Sequence, residues 1–399
     1  MKKHIKAIVL SFICMAASCA DPDELERSIP DAPTTPAVVS FTKDKAYFLY
    51  FKESSFRIQI GTTPKLDKNT EEPIVYAEGN SFNRRCCISN LKPATTYYYR
   101  AFKSNSLGDR IYGEIKSFTT SLEINNLQRT GIYAASQNDI TIKATTHGPE
   151  KSLNVIEAGF CFSQQGKLPT HSSPDVIIKK CSFPASIGDS KTYELSTNGY
   201  IDEFPKGTTT YARAFVKTDE GISYSTESII YYNVSEIRDG RPCIDLGLPS
   251  GILWTAVNMR GEGYTDTNYM PSEYSVFFSE GFQSKKLGTF RLPTYTDAKE
   301  LHDNCTCTTE TIDGRYCARI TGPNGNVIYI PYSGYEKYES YSYTYKTYEF
   351  GKEGYSWLST ETDDGHRVLK VLSSEEICYT YYFYYNRGIR CPIRLVTDK

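Results

Sequence analysis

LKPATTYYYRAFKSNSLGDRIYG (residues 91–113) and FPKGTTTYARAFVKTDEGISYS (204–225) are one element written twice. Tyr98, Arg100, Ala101 and Phe102 align with Tyr211, Arg213, Ala214 and Phe215. A glycine-containing turn follows each copy, at Gly108 and Gly221, and a further strand-like run comes after it. Upstream, FRIQIGTTPKL (56–66) and GFCFSQQGKL (159–168) form a second matched pair. Alternating strands with turn residues at this spacing predict two β-sandwich modules in series, spanning 37–121 and 122–234.

The chain has 399 residues, which at roughly 100–200 residues per domain leaves room for a third domain beyond residue 240. Its 33 tyrosines, with many Thr, Val and Ile residues, favour pleated and half-buried strands. The formal charge is only −2 and no long Lys/Arg cluster occurs. A polyphosphate partner needs such a cluster, so nucleic acid is excluded as a partner class.

At the N-terminus, Lys2, Lys3 and Lys6 precede the apolar run IKAIVLSFICMAAS, which is too short for a comfortable membrane span. It reads as an export signal over residues 1–18. Ala16, Ala17 and Ser18 before Cys19 resemble a bacterial lipobox, although Ala16 stands where leucine is usual. That resemblance implies diacylglyceryl attachment at the Cys19 sulfur and an outer-membrane lipid partner. Residues 19–36 are an acidic, proline-punctuated tether carrying Asp21, Asp23, Glu24 and Glu26. Acidic residues directly after the lipidated cysteine resemble the Bacteroidetes-type surface export signal, which implies exposure on the outside of the cell outer membrane.

Ten further cysteines follow, at 86, 87, 161, 181, 243, 305, 307, 317, 378 and 391. Adjacent Cys86 and Cys87 and the Cys305-Thr-Cys307 triplet fit neither a disulfide framework nor a zinc knuckle. Structural cysteines are the reading that remains.

Both repeats resemble fibronectin type III modules, through the Gly-Phe-Cys-Phe strand and the Leu-x-Pro-x-Thr-x-Tyr approach. Tyr97 falls where that family places a corner tyrosine whose hydroxyl ties back to the backbone. In the second copy Thr210 occupies the position, which implies a weaker or absent corner. After a short hinge, EIRDGRP (236–242), the pattern changes. CIDLGLPSGILWTAVN (243–258), RLPTYTDAKELHDNC (291–305), ITGPNGNVIYIPYSGY (320–335), GYSWLST (354–360) and IRCPIRLV (389–396) together resemble the Fibrobacter succinogenes major paralogous domain. The resemblance covers most of 240–399 and implies an α+β, C-type-lectin-like terminal domain. Leu358, Ile393 and Cys307 depart from the family pattern at packing positions.

Within RLPTYTDAKELHDNC, Thr294 and Asp297 have the spacing of a capping box, which starts a helix. Arg291 is placed to reach a carbonyl or carboxylate of the core, and Lys299, Glu300 and His302 fall on the wet side of the helix. The fold group implied by the resemblance also contains the copper-dependent sulfatase-modifying oxidases. Their closely spaced cysteine pair is missing, because Cys378 and Cys391 are separated by twelve residues. GLPSG (247–251) has its serine one place late for a nucleophile elbow. His302 and His366 read as solvated, and Asp363 and Asp364 are adjacent in a turn and cannot flank a glycosidic bond. No catalytic residue, metal or cofactor is expected.

What remains is aromatic. YSGYEKYESYSYTYKTY (332–348) and YTYYFYYNRG (379–388) are dense in tyrosine. Amphipathic rings with hydroxyls at their tips suit glycan or protein surfaces. Alternation predicts Tyr341, Tyr343 and Tyr345 on one strand face, with Tyr335, Tyr338 and Trp357 completing a binding platform. The sequence therefore leads to the expectation of a non-catalytic surface lipoprotein. Its alternatives are a cell-surface assembly component without a soluble ligand and a sulfatase-modifying-factor-like oxidase.

Overall fold

The computed structural model describes residues 32–49, 57–67, 70, 76–78, 85–104, 109–261, 268–274, 276–279, 282, 287–384 and 388–399. The export signal, Cys19 and most of the tether lie outside the described residues. The chain is mainly β, with a single ten-residue helix among the described residues.

In the first module, one sheet runs Val38–Phe41, Ala46–Leu49, Arg85–Ile88, Tyr76–Glu78. The other is built on Thr96–Ser104, flanked by Arg57–Gly61 and by Arg110–Tyr112 with Lys116–Thr119. The period-two pattern of TYYYRAF decides which face is inside. Tyr97, Tyr99 and Ala101 point into the core and Tyr98 and Arg100 point away, so the two sheets close over Phe48, Ile58, Ile60 and Phe118. The second module repeats the scheme. Ile124–Arg129, Thr141–His147 and Thr192–Asn198 form one sheet. The facing sheet is centred on the pair Leu153–Ser163 and Thr209–Thr218. Thr210, Ala212, Ala214 and Val216 face Phe160, Phe162 and Ile142. Both copies also keep one device on the outer face: Arg100 lies 3.5 Å from the Tyr112 ring centre, and Arg213 lies 4.8 Å from that of Tyr224.

The predicted hinge is a hairpin. Glu236–Arg238 pairs with Arg241–Asp245 across Asp239 and Gly240, both at positive φ. Asp-Gly is a favoured pair for such a two-residue turn. The terminal domain therefore begins at this hairpin, with no linker before it. Its first sheet is completed by Leu253–Thr255 and the chain's last strand, with Leu253 opposite Thr397 and Trp254 opposite Val396. The other sheets are Thr306–Ile312, Arg315–Thr321, Val327–Pro331; the long hairpin Glu353–Thr362 and Gly365–Leu372; and a sheet running Phe278–Ser279, Ile389–Cys391, Tyr335–Glu339, Thr344–Tyr348. At the centre sits Arg394, fully buried. It donates through Nε to Asn258 Oδ1 at 2.7 Å, through one terminal nitrogen to the Thr255 carbonyl at 2.7 Å, and through the other to the Tyr329 carbonyl.

The second sandwich and the terminal domain share one apolar core. Tyr133, Tyr232 and Val234 of the sandwich pack with Ile244, Leu246, Trp254 and Ile328. The Val327 N–H donates to the Lys206 carbonyl at 2.8 Å, and the Lys206 N–H donates to Asn326 Oδ1 at 2.7 Å. Gly207, at φ +85°, lies so close that a Cβ would stand 1.7 Å from the Val327 oxygen, so no other residue fits there. Among the described residues the two sandwiches are joined more lightly, by the Lys43–Glu123 ion pair and by Ala94, which packs into the core of the second sandwich.

Candidate functional site: the tyrosine hairpin

Tyr335–Glu339 and Thr344–Tyr348 pair in register, with Tyr338 opposite Tyr345 and Tyr335 opposite Tyr348. The predicted single face of Tyr341, Tyr343 and Tyr345 does not form. Residues 340–343 are a turn, and Tyr343 has φ +54°. Only Tyr345 of the three lies in a strand. Tyr341 and Tyr343 instead project from the hairpin tip with 76% and 80% of their surface exposed.

The two faces of the hairpin differ in kind. On one, the Tyr338 and Tyr345 rings lie 5.4 Å apart, and the Arg390 guanidinium covers Tyr345 at 3.5 Å. Arg390 also reaches Glu336 at 3.8 Å, which fixes the cation over the ring. Gly388 allows Tyr338 to sit this close: a Cβ on Gly388, at φ +58°, would stand 2.8 Å from the Tyr338 Cβ. On the opposite face Tyr335 turns inward. It stacks on Tyr348 at 5.5 Å and meets Phe383 at 4.8 Å and Tyr355 at 5.3 Å. Beside it, Lys370 pairs with Glu353 at 2.9 Å and approaches the Tyr381 and Tyr355 rings at 4.9 and 5.6 Å. The Tyr348 hydroxyl donates to Glu339, and that bond to a carboxylate pushes its pKa up to about 12.

Trp357 leaves the predicted platform. It is 2% exposed, and its ring N–H donates to the Phe278 carbonyl at 2.8 Å. An indole enclosed by Tyr355, Val368 and Phe383 has no face to offer a ligand. His366, expected in solvent, lies in the strand Gly365–Leu372 with its ring edge toward Trp357 at 6.0 Å. The candidate site thus comprises Tyr338, Tyr341, Tyr343 and Tyr345, and the structure sets Arg390, Glu336 and Gly388, which sequence reasoning missed, beside them. The signal was faint: NRGIR follows a tyrosine run, and only the pairing of Glu336 with Arg390 across strands brings them together.

The remaining predicted residues are structural in placement. The Tyr97 hydroxyl accepts from the Lys92 N–H at 2.8 Å, and its ring stacks on Phe118 at 5.8 Å. At the Thr210 position of the second copy, the Asn233 side chain donates to Thr210 Oγ1 at 3.3 Å and accepts from the Ile201 N–H at 3.0 Å. The helix Tyr295–Asn304 carries the full capping box. Thr294 Oγ1 accepts from the Asp297 N–H at 3.1 Å, and Asp297 accepts from the Thr294 N–H at 2.7 Å. Arg291 donates to both Asp297 oxygens, at 2.5 and 3.3 Å. Burial raises the Asp297 carboxyl, but the Arg291 and Thr294 bonds outweigh it and the net pKa is lowered. Glu300 binds Ser250 of GLPSG through its N–H at 2.8 Å and through its hydroxyl, so both motifs serve one contact.

Cys391 is completely buried among apolar groups, which push its thiol well above the usual range, whereas Cys378 lies on a different sheet and is half-buried. Burial raises Cys305 to about 12 and Cys307 to about 11. Neither is a reactive thiolate. Among the described residues no cluster of three His, Cys, Asp or Glu side chains is disposed to hold a metal ion.

No family model matches the chain, and no curated protein matches it. Among solved structures it is similar to the chicken CNTN1 FN1–FN3 domains, at 10% identity and a TM-score of 0.19, over 93% of this chain and 100% of that chain. A score at that level carries no argument for a shared fold. The two-sandwich description stands on the strand pairing alone.

Proposed function

We propose that the chain is a lipid-anchored surface protein whose terminal domain binds a glycan or protein ligand, without catalysis, through the tyrosine hairpin. In this reading Cys19 carries the acyl anchor in the outer membrane, and residues 19–36 form the tether. Two fibronectin type III-like sandwiches hold a C-type-lectin-like tip away from the surface. The repeated arginine-on-tyrosine device supports a common module, and the pairing of the chain's last strand with Leu253–Thr255 near the start of the tip supports a closed, lectin-like terminal unit.

The observation that carries the binding reading is the hairpin tip. Tyr341 and Tyr343 are solvent-facing aromatic rings beside the Tyr338–Tyr345–Arg390 stack. Rings left in water cost hydration free energy, and clusters of them mark contact surfaces. A glycan array and cell-surface pull-down on the full chain, with Tyr341, Tyr343 and Tyr345 intact or replaced by alanine, test it. Loss of ligand in the variant is expected, and a partner retained at full affinity would remove the hairpin from the function.

A second reading has its own observation: among the described residues Thr344–Tyr348 is the outer strand of its sheet, and such an edge can add a strand from another chain. Concentration-dependent self-association lost on Thr347→Pro would favour assembly over soluble-ligand binding. Protease shaving of intact cells tests surface display, and Cys19→Ser tests the anchor. Copper loading with thiol titration of Cys378 and Cys391 tests the oxidase alternative.

A further inference from the structure

The joint between the second sandwich and the terminal domain encloses a cleft of about 680 Å³, a size typical of small-molecule sites. Tyr211 and Gln165 line it from the sandwich, and Glu310, Asp313 and Arg319 line it from the terminal domain. Tyr232 also lines it. Tyr232 is fully buried, with the Thr209 side chain as the neighbour its hydroxyl interacts with. The Arg319 Nε is buried and faces the Glu310 carboxylate at 3.8 Å.

The charge around the cleft selects the kind of partner. Asp175 is taken up by its own module: it accepts from the Ser163 hydroxyl and from the Gln164 and Gln165 N–H groups at 2.6 and 3.1 Å. Lys167 and Arg319 supply the cations of the lining and Glu310 and Asp313 its carboxylates, with Arg319 and Glu310 3.8 Å apart. A polyanion would meet two carboxylates and a cation would meet a guanidinium, whereas a neutral polyol finds both acceptors and donors. Tyr211 supplies an aromatic surface for the apolar face of a sugar ring; burial first, and then the charges of Asp313 and Glu310, raise its pKa. Because the two walls share one core, the site is formed before any ligand arrives.

We infer that this cleft is a binding site for a neutral saccharide, separate from the tyrosine hairpin and independent of its assignment. Calorimetric titration of the full chain with maltose, cellobiose, lactose and chitobiose tests it. At least one sugar is expected to bind with one-to-one stoichiometry. Tyr211→Ala and Glu310→Gln should each weaken binding by about tenfold, the loss of one stacking or hydrogen-bonding partner. Tyr211→Phe keeps the ring and should preserve most of the affinity, which separates lost stacking from a disturbed fold. The double variant Tyr341→Ala/Tyr343→Ala should bind as the parent does. Binding of none of the four sugars, or binding that survives both cleft substitutions, overturns the proposal. Binding that disappears only with the hairpin substitutions also overturns it, and would assign the sugar to the hairpin instead.

Discussion

Replacing Arg394 tests whether a buried cation holds the terminal domain together through its charge or through its geometry. Burial lowers its pKa from 12.5 to about 9, a fall corresponding to roughly 5 kcal/mol of lost solvation for the charged form. Against this stand three bonds, to Asn258, Thr255 and Tyr329. Leaving such acceptors bare costs about 1–3 kcal/mol each. Arg394→Met removes the solvation burden and all three donors while keeping most of the bulk, so the two effects nearly cancel and a loss of about 1 kcal/mol is expected. Arg394→Lys keeps the buried charge, yet one ammonium cannot span three directions; a loss of about 3–5 kcal/mol is expected. The nominally conservative change should therefore be the worse one. Urea unfolding at pH 7, followed by tryptophan fluorescence, reports on the unit that contains this domain and not on the first module, because the chain's two tryptophans are Trp254 and Trp357. A lysine variant as stable as the methionine variant would refute the reasoning.

Asp297→Asn should cost about 1–2 kcal/mol at neutral pH by losing the ion pair with Arg291 and weakening the cap. Since folding lowers the Asp297 pKa, its contribution is complete above the unfolded carboxyl value of 3.8 and disappears as the pH falls through the folded value; the gap between parent and variant should close on acidification. Gly388→Ala, which adds strain at φ +58° and a clash with Tyr338, should destabilise by about 1–3 kcal/mol and reduce tyrosine-hairpin binding. Tyr97→Phe should cost about 1 kcal/mol through the Lys92 N–H it leaves unpaired, detected as a shift in the first module's unfolding midpoint. Thermal unfolding should resolve two cooperative units, residues 32–121 and residues 122–399, with no separate transition for the terminal domain.

The sandwiches were legible because TYYYRAF and TTYARAF encode their inward faces by simple alternation, and the helix start because a capping box is a local chemical device. What escaped the sequence was set by tertiary partners or by turns without a marker. The turn at 340–343 contains neither glycine nor asparagine, so a period-two run of tyrosines looked like continuous strand. Asp239-Gly240 reads equally as linker and as hairpin turn, and only the pairing of its flanks decides between them. Trp357 looked like a platform ring because burial depends on Phe383 and Phe278, distant in sequence. Tyr133, Tyr232 and Val234 lie on the sandwich sheet that faces the terminal domain, and no periodicity in either domain announces that they share a core.

That shared core has a mechanical consequence. A sideways load on the tyrosine turn cannot be relieved by swivelling around residues 234–236, since Tyr133 and Tyr232 are wedged into the next domain and Gly207 is seated on Val327. The load passes through the second sandwich to the joint beside Leu122, where, among the described residues, the Lys43–Glu123 ion pair and the packing of Ala94 meet it. The chain is jointed like an arm with a locked wrist: its tip is aimed from the elbow.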